Sequence, residues 1–308
     1  MKNLFLIDAN SLIHRTFHAL PPLNSKDGAP TNALYGLSSI LLSILKNKPD
    51  FCAACFDRPE PTFRKKEFEK YKSQRPKAPD ELISQIIEAH NLFEAFNIKF
   101  FEQPGFEADD LIASLTEKFK NEPNLKIIIL TGDRDAFQLI EDEKVIVRIF
   151  KKGISEVEDY TQKTILEKFQ ILPEQIIDFK ALVGDPSDNI PGINGIGPKS
   201  AIELLKQFKN LENLFINQKK MPENLKNKLI KNKENVLLYK KLITLNKNLE
   251  INIKLDNLKF DPQLDKIINY FEKFNFKTLI KRLYNINDNQ KLIKNDNENK
   301  KIKQSSMF

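Results

Sequence analysis

The sequence predicts an α/β protein carrying a second, wholly helical part, and three observations lead there. Short apolar runs alternate with longer segments whose apolar residues recur three and four apart, the pattern of a sheet flanked by helices. From Pro198 onward the strand-like runs stop and only the helical spacing remains. The 308 residues are 41% apolar and 30% charged, enough to bury a sizeable core without disulfide or metal staples.

Taken in order, Leu4–Asp8 is a short apolar run closed by an acid and predicts the first strand. Ala33–Lys46 has the three–four spacing of a helix, and Phe51–Asp57 is again a short apolar run ending in an acid. A helix over Pro79–Phe96, a strand over Lys99–Glu102 and a helix over Ala108–Phe119 follow. Ile127–Thr131 and Val145–Ile149 complete the strands, and Thr161–Phe169 and Glu174–Val183 are helices. Beyond them the spacing predicts helices over Lys199–Phe208, Glu223–Lys231, Glu234–Leu245 and Pro262–Phe274. The expected organisation is an α/β domain over 1–180, a helical domain over 181–284, and a flexible tail over 285–308 that is rich in Asn and Lys.

Composition removes several classes. The longest apolar stretch, Leu37 to Leu45, is interrupted by three serines and is far short of a membrane span. The first apolar residues reach Asp8 too soon for a signal peptide, and two cysteines do not make a secreted disulfide scaffold. A cytoplasmic, monomeric protein is expected. The net charge of +7 and the pI near 9.1 permit a polyanionic partner without establishing one.

Carboxylates gather where strands end. Asp8 and Asp57 close two predicted strands, Asp133 and Asp135 follow a third, Glu107, Asp109 and Asp110 open a helix, and Asp185 and Asp188 sit in a loop after another helix. Any one of them could be a cap or turn residue. Together, just beyond the C-terminal ends of parallel strands, they would line a ligand crevice and repel one another strongly without divalent cations. All-oxygen ligation suits Mg²⁺ or Mn²⁺, and two such ions about 4 Å apart clamp the attacking and leaving oxygens of a phosphodiester.

Two further segments point the same way. Between Arg58 and Lys77 lie eight Lys or Arg against three Glu, with Phe63, Phe68 and Tyr71 interleaved. That is either a solvated surface helix or a path for a single strand, in which cations meet phosphates and rings stack on bases. The run Pro191-Gly192-Ile193-Asn194-Gly195-Ile196-Gly197-Pro198-Lys199 fails the Walker A spacing and the dinucleotide fingerprint. It fits a hairpin between helices whose exposed N–H groups grip phosphates without reading sequence. Cys52 and Cys55 have redox or zinc spacing, but residues three apart on a strand face opposite sides. His14 and His18 lie one helical turn apart without the glutamate of a zinc protease.

Phe5-Leu6-Ile7-Asp8, Arg15-Thr16-Phe17-His18-Ala19-Leu20, Phe56-Asp57, Tyr71-Lys72-Ser73-Gln74-Arg75, Gly105-Phe106-Glu107-Ala108-Asp109-Asp110, Thr131-Gly132-Asp133-Arg134-Asp135 and Gly184-Asp185-Pro186-Ser187-Asp188-Asn189 together resemble the 5′-nuclease domains of bacterial DNA polymerase I, of the flap-endonuclease family. The resemblance runs from about Lys2 to Tyr284. It implies a PIN-like, mixed but mostly parallel sheet flanked by helices, a helical arch over about 58–80, and a helix–three-turn–helix motif in the C-terminal helical domain. It implies that Asp8, Asp57, Glu107, Asp109 and Asp110 surround a first metal and that Asp133, Asp135, Asp185 and Asp188 surround a second. Lys72 and Arg75 match the catalytic basic pair, Tyr71 would stack on a base, and Arg15 would contact a phosphate. Gly192, Gly195, Gly197 and Lys199 would hold duplex DNA, with K⁺ bound through backbone carbonyls of the same motif.

The last residues, Lys303-Gln304-Ser305-Ser306-Met307-Phe308, resemble the short peptide by which bacterial proteins bind the replication sliding clamp, with Gln304, Met307 and Phe308 as contacts. The expected activity is a structure-specific, metal-dependent 5′→3′ exonuclease and flap endonuclease acting on 5′ flaps, nicks and RNA primers in replication and repair. Two alternatives are a ribonuclease of the related PIN fold, which needs neither the basic arch nor the glycine hairpin, and a junction-binding protein that has lost catalysis, which a complete carboxylate set disfavours.

Overall fold

The computed structural model describes residues 1–152 and 156–288. The five expected strands form within two or three residues of their sequence bounds: β1 (Lys2–Asp8), β2 (Phe51–Cys55), β3 (Lys99–Phe101), β4 (Leu125–Leu130) and β5 (Val145–Lys152). They pair in parallel, and a sixth strand, β6 (Glu156–Tyr160), joins β5 antiparallel, so the sheet order is β3-β2-β1-β4-β5-β6. No strand was expected at β6, because its run Glu-Val-Glu-Asp-Tyr has little apolar character. As an edge strand it needs only one buried end, and Arg148 pins it through paired contacts of 2.6 and 2.8 Å to Asp159.

Alternation along β1 splits the interior in two. Leu4 and Leu6 face one layer, and Phe5 and Ile7 the other. Against the second face pack α1 (Ala9–Ala19), α2 (Asn32–Asn47) and α4 (Asp80–Ala95). The short α3 (Phe63–Glu67) precedes α4 in the chain, and α5 (Ala108–Phe119) crosses to cover the first face. Cys52 and Cys55 fall into these two different layers. Helix α1 lies outside the helices that the sequence pattern predicts. It starts on the residue after the β1 acid, and Asp8 caps it by accepting from Ser11 N at 3.0 Å.

The helical region contains α6 (Gln162–Phe169), α7 (Ile176–Val183), α8 (Pro198–Phe208), α9 (Leu211–Ile216), α10 (Glu223–Lys231) and α11 (Lys233–Ile243). Its apolar residues, among them Leu182, Ile193, Leu205 and Leu242, are continuous with Leu4 and Leu6 beneath the sheet. The expectation of one helical domain reaching residue 284 differs from what forms. At Lys259 the chain returns to the sheet, bridging Phe51, and α12 (Leu264–Lys273) packs with α4 in the opposite layer. The chain is helical again over 277–288, four residues into the stretch expected as a tail. The residues expected to bind a sliding clamp, Gln304, Met307 and Phe308, lie outside the described residues. Among the described residues no helix is long and apolar enough to cross a membrane.

Candidate active site

In a parallel sheet whose second strand leaves on one side and whose fourth leaves on the other, the crevice opens beyond the C-terminal ends of the central strands. Here that place is the end of β1 and β4. Asp8 closes β1, Asp133 follows β4 after Gly132, and Asp57 follows β2. Glu107 and Asp109 enter from the start of α5. These five carboxylates line one cavity of about 420 Å³, with Asn10, Ser11, His14 and His18 of α1 on one wall and Lys72, Arg75 and Lys77 on another.

Four of the five acids, Asp8, Asp57, Glu107 and Asp133, accept hydrogen bonds from neighbours. Asp8 accepts from Thr131 Oγ1 at 2.7 Å, and Thr131 Oγ1 in turn accepts from Asp133 N at 2.9 Å, locking the β1 and β4 ends together. Asp57 accepts from Ala108 N at 2.7 Å, an anion at the N-terminus of α5. The first turn of α5 presents Asp109 with Oδ1 buried and without a hydrogen-bond partner. Burial, then Asp57, pushes the Asp8 carboxyl up to about 7, and burial, then Asp8 and Asp133, holds Asp109 well above the usual carboxylate range. A set of mutually repelling, buried oxygens with one left unsatisfied is what a hard cation would complete, so the residues fit a divalent metal.

Three more acids form a second group. Oxygens of Asp135, Asp185 and Asp188 all lie within 4.8 Å of one another and are buried. The family resemblance implied Asp133 in this group, whereas the structure places it in the cavity with Asp8. The ammonium of Lys180, one residue of α7 that no motif singled out, stands between Asp135 and Asp185, 2.7 Å from the latter. Burial raises Asp135 to about 7 despite Lys180, while at Asp185 the Lys180 ammonium and Ser187 outweigh burial and lower the pKa. The sequence signal for Lys180 is its position in the last turns of α7, five residues before Asp185.

Asp110 departs from its expected place as a metal ligand. It is fully buried, and both oxygens are taken by Arg64, at 2.7 Å each, in a fork-on-fork pair. Backbone N–H groups of Glu107 and Asn246 donate to it as well, at 3.1 and 2.8 Å. Arg64, only 1% exposed, also donates to the carbonyls of Leu242 (2.7 Å) and Thr244 (3.2 Å). A carboxylate committed to these donors ties α3, α5 and the end of α11 together instead of facing the cavity.

The basic segment expected to form a helical arch contains only the five-residue α3 followed by turns. Its end is docked on the acidic loop. Asn189 donates to Lys70 O (2.8 Å), Gln74 to Pro186 O (2.7 Å), and Lys72 N to Asp188 O (3.1 Å). Lys72 takes a left-handed backbone, φ +51°, a strained choice for a non-glycine residue that these bonds sustain. Its ammonium lies 3.1 Å from Glu107, and Arg75 lies 2.8 Å from Asp188. Burial works against the Lys72 charge, but Glu107 and Asp188 outweigh it and raise its pKa.

Tyr71 differs from the expected stacking residue. It is 4% exposed, and its hydroxyl lies 2.9 Å from Asp188 Oδ2 and 3.1 Å from Glu107 Oε2. With its ring covered by Lys72, it has no face open to a base. Arg15 is half-buried on α1 and is not among the cavity-lining residues.

The glycine run joins α7 to α8. Gly195, Gly197 and Lys199 are exposed, and Gly197 precedes the Pro198 that opens α8. Gly192 is different: at φ +68° it packs on the backbone, and a Cβ there would meet Gly184 N at 2.3 Å. Its role in the hairpin is steric. Lys228 of α10 reaches over Gly195, a cation beside the hairpin that local motifs could not reveal.

Known proteins share this architecture and sequence. The family model of the 5′-3′ exonuclease N-terminal, resolvase-like domain matches residues 3–170, and that of the 5′-3′ exonuclease C-terminal SAM fold matches 171–266. A DNA polymerase I of Caldicellulosiruptor bescii is 41% identical over 283 residues, covering 91% of this chain and 33% of that protein. A 5′-3′ exonuclease of Aquifex aeolicus is 37% identical over 285 residues, covering 92% of this chain and 96% of that protein. The chain thus spans a third of the polymerase and nearly all of the exonuclease. In fold, it resembles the bacteriophage T5 flap endonuclease in a pseudo-enzyme–product complex with DNA and metal ions, with a TM-score of 0.64 at 21% identity over 93% of this chain and 98% of that one.

Proposed function

Since this chain belongs to the 5′-3′ exonuclease family, we propose that it hydrolyses phosphodiesters at the junction of a 5′ single strand with duplex DNA, as both exonuclease and flap endonuclease. The observation that carries this is the meeting of five carboxylates in one cavity at the C-terminal edge of the sheet, with Lys72 and Arg75 on its rim. Asp8, Asp57, Glu107, Asp109 and Asp133 would hold one divalent cation, Mg²⁺ or Mn²⁺, and Asp135, Asp185 and Asp188 a second. When bound, such cations supply Lewis-acid activation of water and offset charge on the reacting phosphate.

The chain's own groups do the positioning. Lys72 and Arg75 are held at the rim by the loop over 186–189 and would stabilise charge on the scissile phosphate, leaving Glu107 and Asp188 to do so. The exposed N–H groups of Gly195 and Gly197 at the start of α8, with Lys199, would grip backbone phosphates of the duplex, and K⁺ would sit on carbonyls of the same hairpin. Such contacts recognise the junction by shape and charge, so cleavage would be independent of sequence.

The test is cleavage of a 5′-end-labelled flap duplex in Mg²⁺ or in EDTA, comparing the native chain with Asp133→Ala. Cleavage near the junction, lost in EDTA and severely reduced in the variant, is expected. Tight flap binding without cleavage in either Mg²⁺ or Mn²⁺ would overturn the proposal in favour of a junction-binding protein.

A further inference from the structure

We propose that Lys180 is a built-in counter-ion of the Asp135–Asp185–Asp188 group, which assembles that group without metal and must be displaced before the group takes a divalent cation. This rests on the assignment of these acids as a cation site. Three buried carboxylates with oxygens within 4.8 Å of one another would repel strongly, yet the loop holding two of them is well formed. The Lys180 ammonium supplies the missing charge, contacting Asp135 and Asp185 from the α7 side. Asp188 is served separately, by Arg75 at 2.8 Å, by Lys72 at 4.0 Å and by the Tyr71 hydroxyl at 2.9 Å.

The cavity group differs in kind. Of its five acids Glu107 alone meets a cation, Lys72 at 3.1 Å and Arg64 at 3.5 Å; no salt bridge among the described residues reaches Asp8, Asp57, Asp109 or Asp133, and Asp109 Oδ1 is unpartnered. The two groups are therefore built for different occupancy. The cavity has a charge deficit at four of its acids and takes a cation directly, whereas the second group is already partly neutralised, by Lys180 on Asp135 and Asp185 and by Arg75 on Asp188, and exchanges Lys180 for the cation. The consequence is graded affinity: a strong first ion and a weak second one that depends on removing Lys180 from between Asp135 and Asp185.

The experiment is a calorimetric Mn²⁺ titration of the full chain without DNA, with unfolding temperature in EDTA as a second readout. The native chain should show one strong and one weak Mn²⁺. Lys180→Met should tighten the weak one by about tenfold or more, about 1.4 kcal/mol, leave the strong one unchanged, and lower the unfolding temperature in EDTA. Lys180→Arg, which keeps the charge, should restore the native isotherm. Unchanged or weakened second-ion affinity in Lys180→Met, or an unfolding temperature in EDTA equal to the native one, overturns the proposal. Absence of any Mn²⁺ binding by the native chain, or strong-site binding that survives Asp8→Asn, refutes the underlying metal assignment instead.

Discussion

Arg64→Met should destabilise the protein by about 3–5 kcal/mol, the cost of leaving a buried carboxylate without its cation. Three things are lost together. Asp110, fully buried, keeps only the N–H groups of Glu107 and Asn246 after losing both 2.7 Å contacts. The carbonyls of Leu242 and Thr244 lose their guanidinium donor, each worth about 1 kcal/mol. The methionine recovers some packing, which keeps the sum within that range. Urea denaturation followed by far-UV circular dichroism would read the loss as a midpoint lower by about 1 M or more, taking a slope near 3 kcal/mol/M. The double variant Arg64→Met/Asp110→Leu removes both charges and should recover at least half of the loss, because an apolar pair is tolerated where a lone charge is not. A single variant within about 1 kcal/mol of the native chain, or losses that simply add in the double variant, would refute the reasoning. So would an Asp110→Asn chain of native stability with weakened Mn²⁺ binding, since that behaviour belongs to a ligand.

Other outcomes follow from the same contacts. In EDTA the unfolding temperature should fall between pH 5.5 and 7.5. Asp8 and Asp135 are raised to about 7 from 3.8, chiefly by burial, so the folded chain binds more protons than the unfolded one in that window and loses stability as pH rises. Mg²⁺ should therefore stabilise more at pH 7.5 than at 5.5, and a metal-free stability that rises with pH would contradict this. Tyr71→Phe, which removes the hydroxyl beside Asp188 and Glu107, should lower stability by about 1 kcal/mol in urea and leave single-strand affinity unchanged, whereas a stacking residue would show the reverse on Tyr71→Ala. Gly192→Ala, at φ +68° with a Cβ 2.3 Å from Gly184 N, should cost about 3 kcal/mol or more by thermal unfolding, and a cost under about 1 kcal/mol would show that the hairpin relaxes freely. Lys72→Ala should reduce the rate of flap cleavage by about 10²–10³-fold in single-turnover assays, with a wild-type rate counting against its placement at the scissile phosphate.

Local pattern carried much of the fold. The five parallel strands and the helices over Ala108–Phe119 and Glu223–Lys231 were legible because apolar period and terminal residues agree there. β6 was not, since an edge strand with one buried end has no clear alternation. The excursion of the chain back to the sheet at Lys259 was also illegible, because a helix pattern states that a face is buried but not against what. At the site, the acids Asp8, Asp57, Glu107, Asp109 and Asp133 could be named from their places at strand and helix ends. Asp110 could not be separated from Asp109, since adjacent residues on a helix share every local signal while pointing about 100° apart.

Residue type and spacing already mark the groups that can serve: the strand-end acids, the basic segment and the glycine hairpin. Which of them meet is a matter of packing between distant segments. Whether Arg64 is an exposed cation or a buried clamp on Asp110, whether Tyr71 offers a ring or a hydroxyl, and whether Lys180 meets Asp135 depend on contacts across 36 to 117 positions of chain. Charge and hydrogen bonding act through space and are strongest where water is excluded, so their outcome is set by packing rather than by sequence neighbourhood.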